Sequence, residues 1–285
     1  MPELPEVEII VNDLAEKIVG KTIKEAQIFD NKVANVKTSM LRKSLVGEKI
    51  IGAGRRAKII IIKLKDNYLV IHLKMTGQLV FVSGDKIIAG GHTIENVGKK
   101  LPNKYTRVVV EFNDKSKLYF NDQRRFGWVK IFAADELKKI LSNLGYEPLK
   151  KDFNFLNLKK VLKRKRKSSI KQALMDQKII AGIGNIYADE SLFEAGINPL
   201  KKAGGLNDFE IKKLLNAIKA KLKLSIKYRG TTFNNYIDTA GSRGNFSKFL
   251  KVYGREGKKC KNCDSTIKKT KLGGRGTHYC PRCQK

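Results

Sequence analysis

Four cysteines, all within the last 26 residues, constrain this chain of 285 residues more than any other feature. They read Cys260-Lys-Asn-Cys263, sixteen residues, then Cys280-Pro-Arg-Cys283. Two residues between thiolates let one tight turn offer both sulfurs to a single tetrahedral ion, and the intervening stretch is long enough for a hairpin that returns to the second pair. Four thiolates fill the tetrahedron, so the expected ion is one structural Zn2+ with no open position for chemistry. Clustered cysteines of this kind belong in a reducing compartment, and the acidic residues Glu3, Glu6, Glu8, Asp13 and Glu16 ahead of Lys17 reverse the charge order of a secretion signal. A cytoplasmic, nucleoid-associated protein is the expectation.

Charge narrows the partner. Lys and Arg number 59 against 27 Asp and Glu, a net +32, far beyond what solubility needs. A polyanion is implied. No apolar run approaches the roughly 18 residues of a membrane span. The cysteine-bearing tail from 245 to 285 holds twelve basic and two acidic residues, and 154–175 holds eight basic and no acidic ones. The second run reads equally as a solvated helix face or as phosphate contacts.

The chain changes texture twice. Leu4, Val7, Ile10, Val11, Leu14 and Ile18 recur at helical spacing and Gly20 stops them. Short β-rich runs follow to about Phe132: 59–64, 68–73, 78–82, 107–112, 117–120 and 128–132, separated by turn residues, as in an antiparallel sandwich. The Gly- and Lys-rich stretch 85–103 reads as a long mobile loop. Beyond Phe132 the period is helical again over 135–144, 156–162, 170–175, 185–195 and 208–228, with a domain boundary near Pro148. The expected fold is α+β and multi-domain. It comprises an antiparallel β-sandwich with an N-terminal helix (1–135), a helical middle (149–240) and a zinc-finger hairpin (245–285).

These features support nucleic-acid binding, and a non-catalytic zinc-ribbon protein would share them. The N-terminus shifts the balance. Removing Met1 would expose Pro2 as a secondary amine, and such an amine attacks an aldehydic sugar carbon to give an iminium, an electron sink that permits phosphate elimination. Taken alone, Pro2 and Pro5 also serve simply to start a helix whose dipole the glutamates complement.

Four segments together resemble one family. They are Met-Pro-Glu-Leu-Pro-Glu-Val-Glu at 1–8, Gln-Arg-Arg-Phe-Gly at 123–127, Ala-Gly-Ile-Gly-Asn-Ile-Tyr-Ala-Asp-Glu at 181–190 and Gly-Arg-Gly-Thr-His-Tyr-Cys-Pro-Arg-Cys at 274–283. In this order they resemble the formamidopyrimidine-DNA glycosylases over nearly the whole chain. The resemblance implies a bifunctional base-excision-repair enzyme that removes 8-oxoguanine and ring-opened purines from double-stranded DNA, then cuts by β,δ-elimination as a monomer. It also implies a helix–two-turn–helix in the middle domain.

Matched position by position, the resemblance makes Pro2 the nucleophile and Glu3 the acid at the sugar ring oxygen. Glu6 becomes an organiser of the site, and Lys58 a catalytic contact to the lesion phosphate at a strand-pair tip. An extruded nucleotide leaves a hole, and Met75, Arg124 and Phe126 match the wedge that fills it. By position alone, Met75 and Phe126 would be core residues. Lys171, Asn185, Tyr236 and Arg275 match phosphate contacts, the turn Gly182–Asn185 suits phosphate binding, and 239–246 resembles a loop that closes over the flipped base. Gln123 stands where the family often has proline, and Asn103-Lys104-Tyr105-Thr106 replaces a histidine-containing stretch. A sister class, the endonuclease VIII type, uses the same amine chemistry on oxidised pyrimidines. The Leu4 environment and the complete trio Met75, Arg124 and Phe126 favour the first reading.

Overall fold

The computed structural model describes residues 1–92, 101–231 and 244–285. They fall into two compact units, Met1–Ser142 with Arg229–Asn245, and Asn143–Tyr228 with Phe246–Lys285.

In the first unit, helix α1 (Leu4–Ile18) starts at the Pro5 turn and buries Leu4, Val7, Ile10, Val11, Leu14 and Ile18, the stripe its spacing dictates. Burial of each such side chain stabilises the unit by roughly 2 kcal/mol. Nine strands and a short helix α2 (Thr38–Lys43) follow. The strands are β1 (Ile23–Ile28), β2 (Gly52–Arg56), β3 (Ile59–Lys63), β4 (Asn67–His72), β5 (Gly77–Ser83), β6 (Lys86–Gly91), β7 (Thr106–Phe112), β8 (Lys117–Asp122) and β9 (Trp128–Ala133). They form two antiparallel sheets, ordered β1-β7-β8-β5-β6 and β2-β3-β4-β9. Alternate residues point inward, as the two-residue period demands: Ile60, Ile62, Leu69, Ile71, Val129 and Ile131 from one sheet meet Leu79, Phe81, Val108, Val110, Leu118 and Phe120 from the other in a single core with α1. Helix α3 (Ala134–Leu141) closes the unit against β9.

One sequence expectation is corrected here. The stretch 85–103 is not a loop throughout, because Lys86–Gly91 pairs with β5 as an edge strand from Ser83↔Lys86 to Gln78↔Gly91. Its two glycines masked the pattern. Gly91 lies at φ +117, where an added Cβ would sit 2.4 Å from the Gly77 carbonyl.

The second unit carries helices α4 (Phe155–Arg164), α5 (Ile170–Met175), α6 (Asn185–Ala195) and α7 (Asp208–Lys227), and the antiparallel hairpin β10 (Lys268–Leu272) and β11 (Arg275–Tyr279). Caps fix the starts: the Asn207 side chain accepts the Glu210 N–H at 2.9 Å, and Ser169 accepts that of Gln172 at 3.3 Å. Gly196 at φ +73 ends α6. Helices α5 and α6 are joined by the short connection 176–184. Among the described residues, no helix is long and apolar enough to cross a membrane.

Candidate functional site

The N-terminus is pinned by its own first turn. Glu3 is 3% exposed and heads α1, and its N–H donates to Glu6 Oε2 at 3.0 Å. The other Glu6 oxygen accepts the Thr231 N–H at 3.0 Å and its hydroxyl at 2.9 Å. Gly230, at φ +81, leaves the room this needs, since a Cβ there would stand 3.1 Å from Glu6 Oε1. Glu6 therefore ties the helix start to the stem of the 232–243 segment, leaving Pro2 half-buried and Met1 exposed ahead of it.

Lys58 lies in the two-residue turn between β2 and β3, where sequence placed it, but it is buried at 6% exposure rather than solvated. Ala57 beside it takes a left-handed φ of +55. Arg55 steadies this turn, donating from Nε to Glu8 of α1 at 2.5 Å and from Nη1 to the Ala57 carbonyl at 3.3 Å.

Two histidines that sequence reading passed over stand in the same unit. His72 Nδ1 accepts the Lys74 N–H at 3.0 Å, which leaves the ring hydrogen on Nε2. Burial, helped by the charges of Lys74 and Lys58, pushes its pKa down to about 3. The folded state thus favours the neutral ring. Its stabilising contribution is complete above the ordinary value near 6.5 and is lost as pH falls from there toward 3. Imidazole NMR should find His72 untitrated between pH 5 and 8 as the Nε2–H tautomer; a midpoint above pH 5 would contradict the geometry. His92, just after β6, is lowered by burial and then by the chain-terminal ammonium, with Asp122 opposing.

Met75 lies in the connection between β4 and β5, and Arg124 and Phe126 in that between β8 and β9, all three exposed. Met75 is 37% and Phe126 53% exposed, where position alone would assign both to a core. The Arg124 guanidinium stacks over the Phe126 ring at 4.7 Å.

The second unit holds the phosphate candidates. Lys171 is 1% exposed; its ammonium donates to the Gly276 carbonyl at 3.0 Å and Thr277 Oγ1 at 2.9 Å, and lies 2.7 Å from Asp189 Oδ1. Those contacts hold β11 against α5 from inside the unit. Asp189 Oδ2 also accepts the His278 N–H at 2.9 Å, adding a second tie to the same strand. Asn185 opens α6 and donates from its side chain to the Gly276 carbonyl at 3.0 Å. The Gly182 N–H is already given to Gln177 Oε1 at 2.8 Å, which removes it from the expected anion nest. Arg275 is exposed, the first residue of β11 directly after the Gly273-Gly274 turn. Tyr236, and the capping segment through residue 243, lie outside the described residues.

The four cysteine sulfurs fall within 4.8 Å of one another, with Cys260–Cys283 at 3.9 Å and Cys263–Cys280 at 3.4 Å. A zinc tetrahedron with bonds of about 2.3 Å has edges of about 3.8 Å. All four are free thiols, and backbone N–H groups of Asn262 and Cys283 point at Cys260 Sγ and Cys280 Sγ at 3.4 and 3.5 Å, as knuckles do around thiolates. The residues fit zinc. Cys260 and Cys280 also pack with Phe193, Val252 and Ile267, so the ion would secure the small core on which β10 and β11 rest. Metal analysis should find about one zinc per chain for a single Cys₄ site. Cys263→Ser should weaken DNA affinity by loosening the strand that carries Arg275; removal of the metal without loss of binding would count against that link.

Three family models cover the chain. The formamidopyrimidine-DNA glycosylase N-terminal domain matches residues 1–129, the formamidopyrimidine-DNA glycosylase H2TH domain 144–236, and the zinc finger found in FPG and IleRS 257–285. The formamidopyrimidine-DNA glycosylase of Carboxydothermus hydrogenoformans is 41% identical, covering 100% of both chains, and that of Pelotomaculum thermopropionicum 40% identical, covering 100% of this chain and 99% of its own. Among solved structures, Lactococcus lactis Fpg with abasic-site DNA aligns at a TM-score of 0.88 and 32% identity over 99% of each chain. The wild-type Lactococcus lactis enzyme with N7-benzyl-Fapy-dG DNA aligns at 0.88 and 31% identity over 100% of each.

Proposed function

The chain belongs to the formamidopyrimidine-DNA glycosylase family, and from that premise we propose how its residues divide the work of a DNA glycosylase and AP lyase of base-excision repair. The substrate is double-stranded DNA carrying an oxidised purine, and the structural zinc takes no part in the chemical step. The observation that carries the assignment is the head of α1: Pro2 half-buried at the very start, the buried Glu3 beside it, and Glu6 spent on the Glu3 N–H and on Thr231.

Once Met1 is removed, the Pro2 nitrogen attacks C1′ and the base departs with a proton. Glu3 protonates the ring oxygen as the sugar opens, and the amine nitrogen loses its own proton to leave an iminium. That electron sink acidifies C2′–H, so the 3′ phosphate and then the 5′ phosphate are eliminated. Lys58 holds the lesion phosphate, and burial of its turn gives that charge a fixed place. Met75, Arg124 and Phe126 enter the duplex where the nucleotide has left. Their exposure supports that role, because a wedge must be solvated before it meets DNA. Asn185, Tyr236 and Arg275 contact phosphates. Residues 1–135, 149–240 and 245–285 act as chemical, helix–two-turn–helix and finger segments of a monomer that works at the nucleoid in the cytoplasm.

Incubation with duplexes carrying either 8-oxoguanine opposite cytosine or an oxidised pyrimidine tests the assignment. The purine lesion should be excised at least about tenfold faster, with both flanking fragments ending in phosphate, since one pocket contact discriminates by about that factor. Preference for the pyrimidine would transfer the chain to the endonuclease VIII type.

A further inference from the structure

Asp122, the last residue of β8, is fully buried, and its carboxylate faces two turns at once. Oδ1 accepts the Thr76 hydroxyl and also the Arg124 N–H at 3.2 Å. Oδ2 accepts the Gly127 N–H at 2.6 Å. Thr76 Oγ1 in turn accepts the same Arg124 N–H at 2.9 Å. Thr76 adjoins Met75, whereas Arg124 and Gly127 bracket Phe126. Each turn is also closed by its own glycine: a Cβ on Gly77 would meet the Leu73 carbonyl at 2.3 Å, and one on Gly127 would meet Phe120 Cζ at 2.8 Å and Asp122 Oδ2 at 3.0 Å. The backbone of Asp122 is held as firmly, giving its N–H to Tyr105 at 2.9 Å and taking Arg107 Nε at 3.0 Å.

We propose that Asp122 is a latch that joins the Met75 turn and the Arg124–Phe126 turn into one rigid body, so that filling the vacated stack and reading the orphaned base occur as a single event. It is a positioning residue that acts through Thr76, Arg124 and Gly127 and touches no DNA itself. The inference rests on the wedge reading of Met75, Arg124 and Phe126. It also accounts for how Gln123 is tolerated where proline is common: the turn is held at both ends by one carboxylate. In Asp122→Asn, an NH₂ in place of Oδ2 faces the Gly127 N–H, a donor against a donor; turned over, it can donate to Thr76 Oγ1 but then faces the Arg124 N–H, so the contact to Gly127 or to Arg124 is lost either way.

The test compares Asp122→Asn, Thr76→Val and the conservative Thr76→Ser on duplexes with 8-oxoguanine opposite cytosine or adenine. A 2-aminopurine beside the lesion reports wedge entry in stopped flow. Asp122→Asn should cut the cytosine-to-adenine excision ratio about fivefold and slow the fluorescence phase about tenfold, the scale of losing coupled buried hydrogen bonds. Thr76→Val should follow it, and Thr76→Ser should stay near wild type. In an Arg124→Ala background, Asp122→Asn should lower the ratio no further. A normal ratio and a normal fluorescence phase in Asp122→Asn would overturn the latch, as would effects of Asp122→Asn and Arg124→Ala that simply multiply. If Asp122→Asn does not fold by circular dichroism, Thr76→Val decides the matter on the same two readouts. Should Arg124→Ala alone leave the ratio unchanged, the wedge reading has failed, and the latch stands or falls on the fluorescence phase in Thr76→Val.

Discussion

Enzyme that retains Met1 should form no borohydride-stable adduct with abasic-site DNA, and Pro2→Gly should form it at least about a hundredfold more slowly, a loss of about 2.7 kcal/mol in transition-state stabilisation. With Met1 in place the Pro2 nitrogen is an amide, whose lone pair is delocalised and cannot attack C1′. In Pro2→Gly the amine is primary and the ring that fixes its direction is gone, while the Glu3–Glu6 turn behind it is unchanged. Affinity for a reduced abasic-site analogue should be largely retained in both, because the phosphate contacts lie elsewhere. Mass spectrometry establishes which terminus each preparation carries. Full trapping by protein that keeps Met1 would remove Pro2 from the mechanism.

The second large effect concerns Arg124. Once a purine is extruded, its cytosine partner presents O2 and N3 as unpaired acceptors, and a guanidinium in the stack supplies donors to both. Adenine offers a different edge. A well-formed pair of this kind discriminates by about 1–3 kcal/mol, so excision opposite cytosine should exceed that opposite adenine about ten- to a hundredfold. In the free protein the guanidinium lies over the Phe126 ring at 4.7 Å. Arg124→Ala should bring the two rates close together, and Met75→Ala should slow extrusion for every lesion without changing their ratio. An unchanged ratio in Arg124→Ala would place base reading on another residue.

Elements with a strong period were legible from sequence, and those whose partners are distant in the chain were not. The helices Ile170–Met175 and Asn185–Ala195 have the bounds that apolar spacing gives. Strands β1 and β2 escaped notice because Ile-Lys-Glu-Ala-Gln-Ile and Gly-Ala-Gly-Arg-Arg lack a clean alternation; pairing with β7 and β3 makes them strands. The site divides in the same way. Cysteine spacing and the Pro2-Glu3 start are local and could be read directly. Lys171 sits in a run of basic residues that looks solvated, and only folding reveals Asp189 and Thr277 around it. The buried Lys58, the neutral His72 and the doubly engaged Asp122 depend on contacts made across strands, which no local pattern encodes.

The central claim is that one nitrogen performs both base removal and strand cleavage. Borohydride trapping on a duplex with a single 8-oxoguanine opposite cytosine, followed by proteolysis and mass spectrometry of the adduct, locates that nitrogen. The account predicts that the deoxyribose fragment is carried by the N-terminal peptide, on Pro2, in Met1-free enzyme. An adduct mapped to a lysine, Lys58 included, or the absence of any adduct while the base is still released, would contradict it.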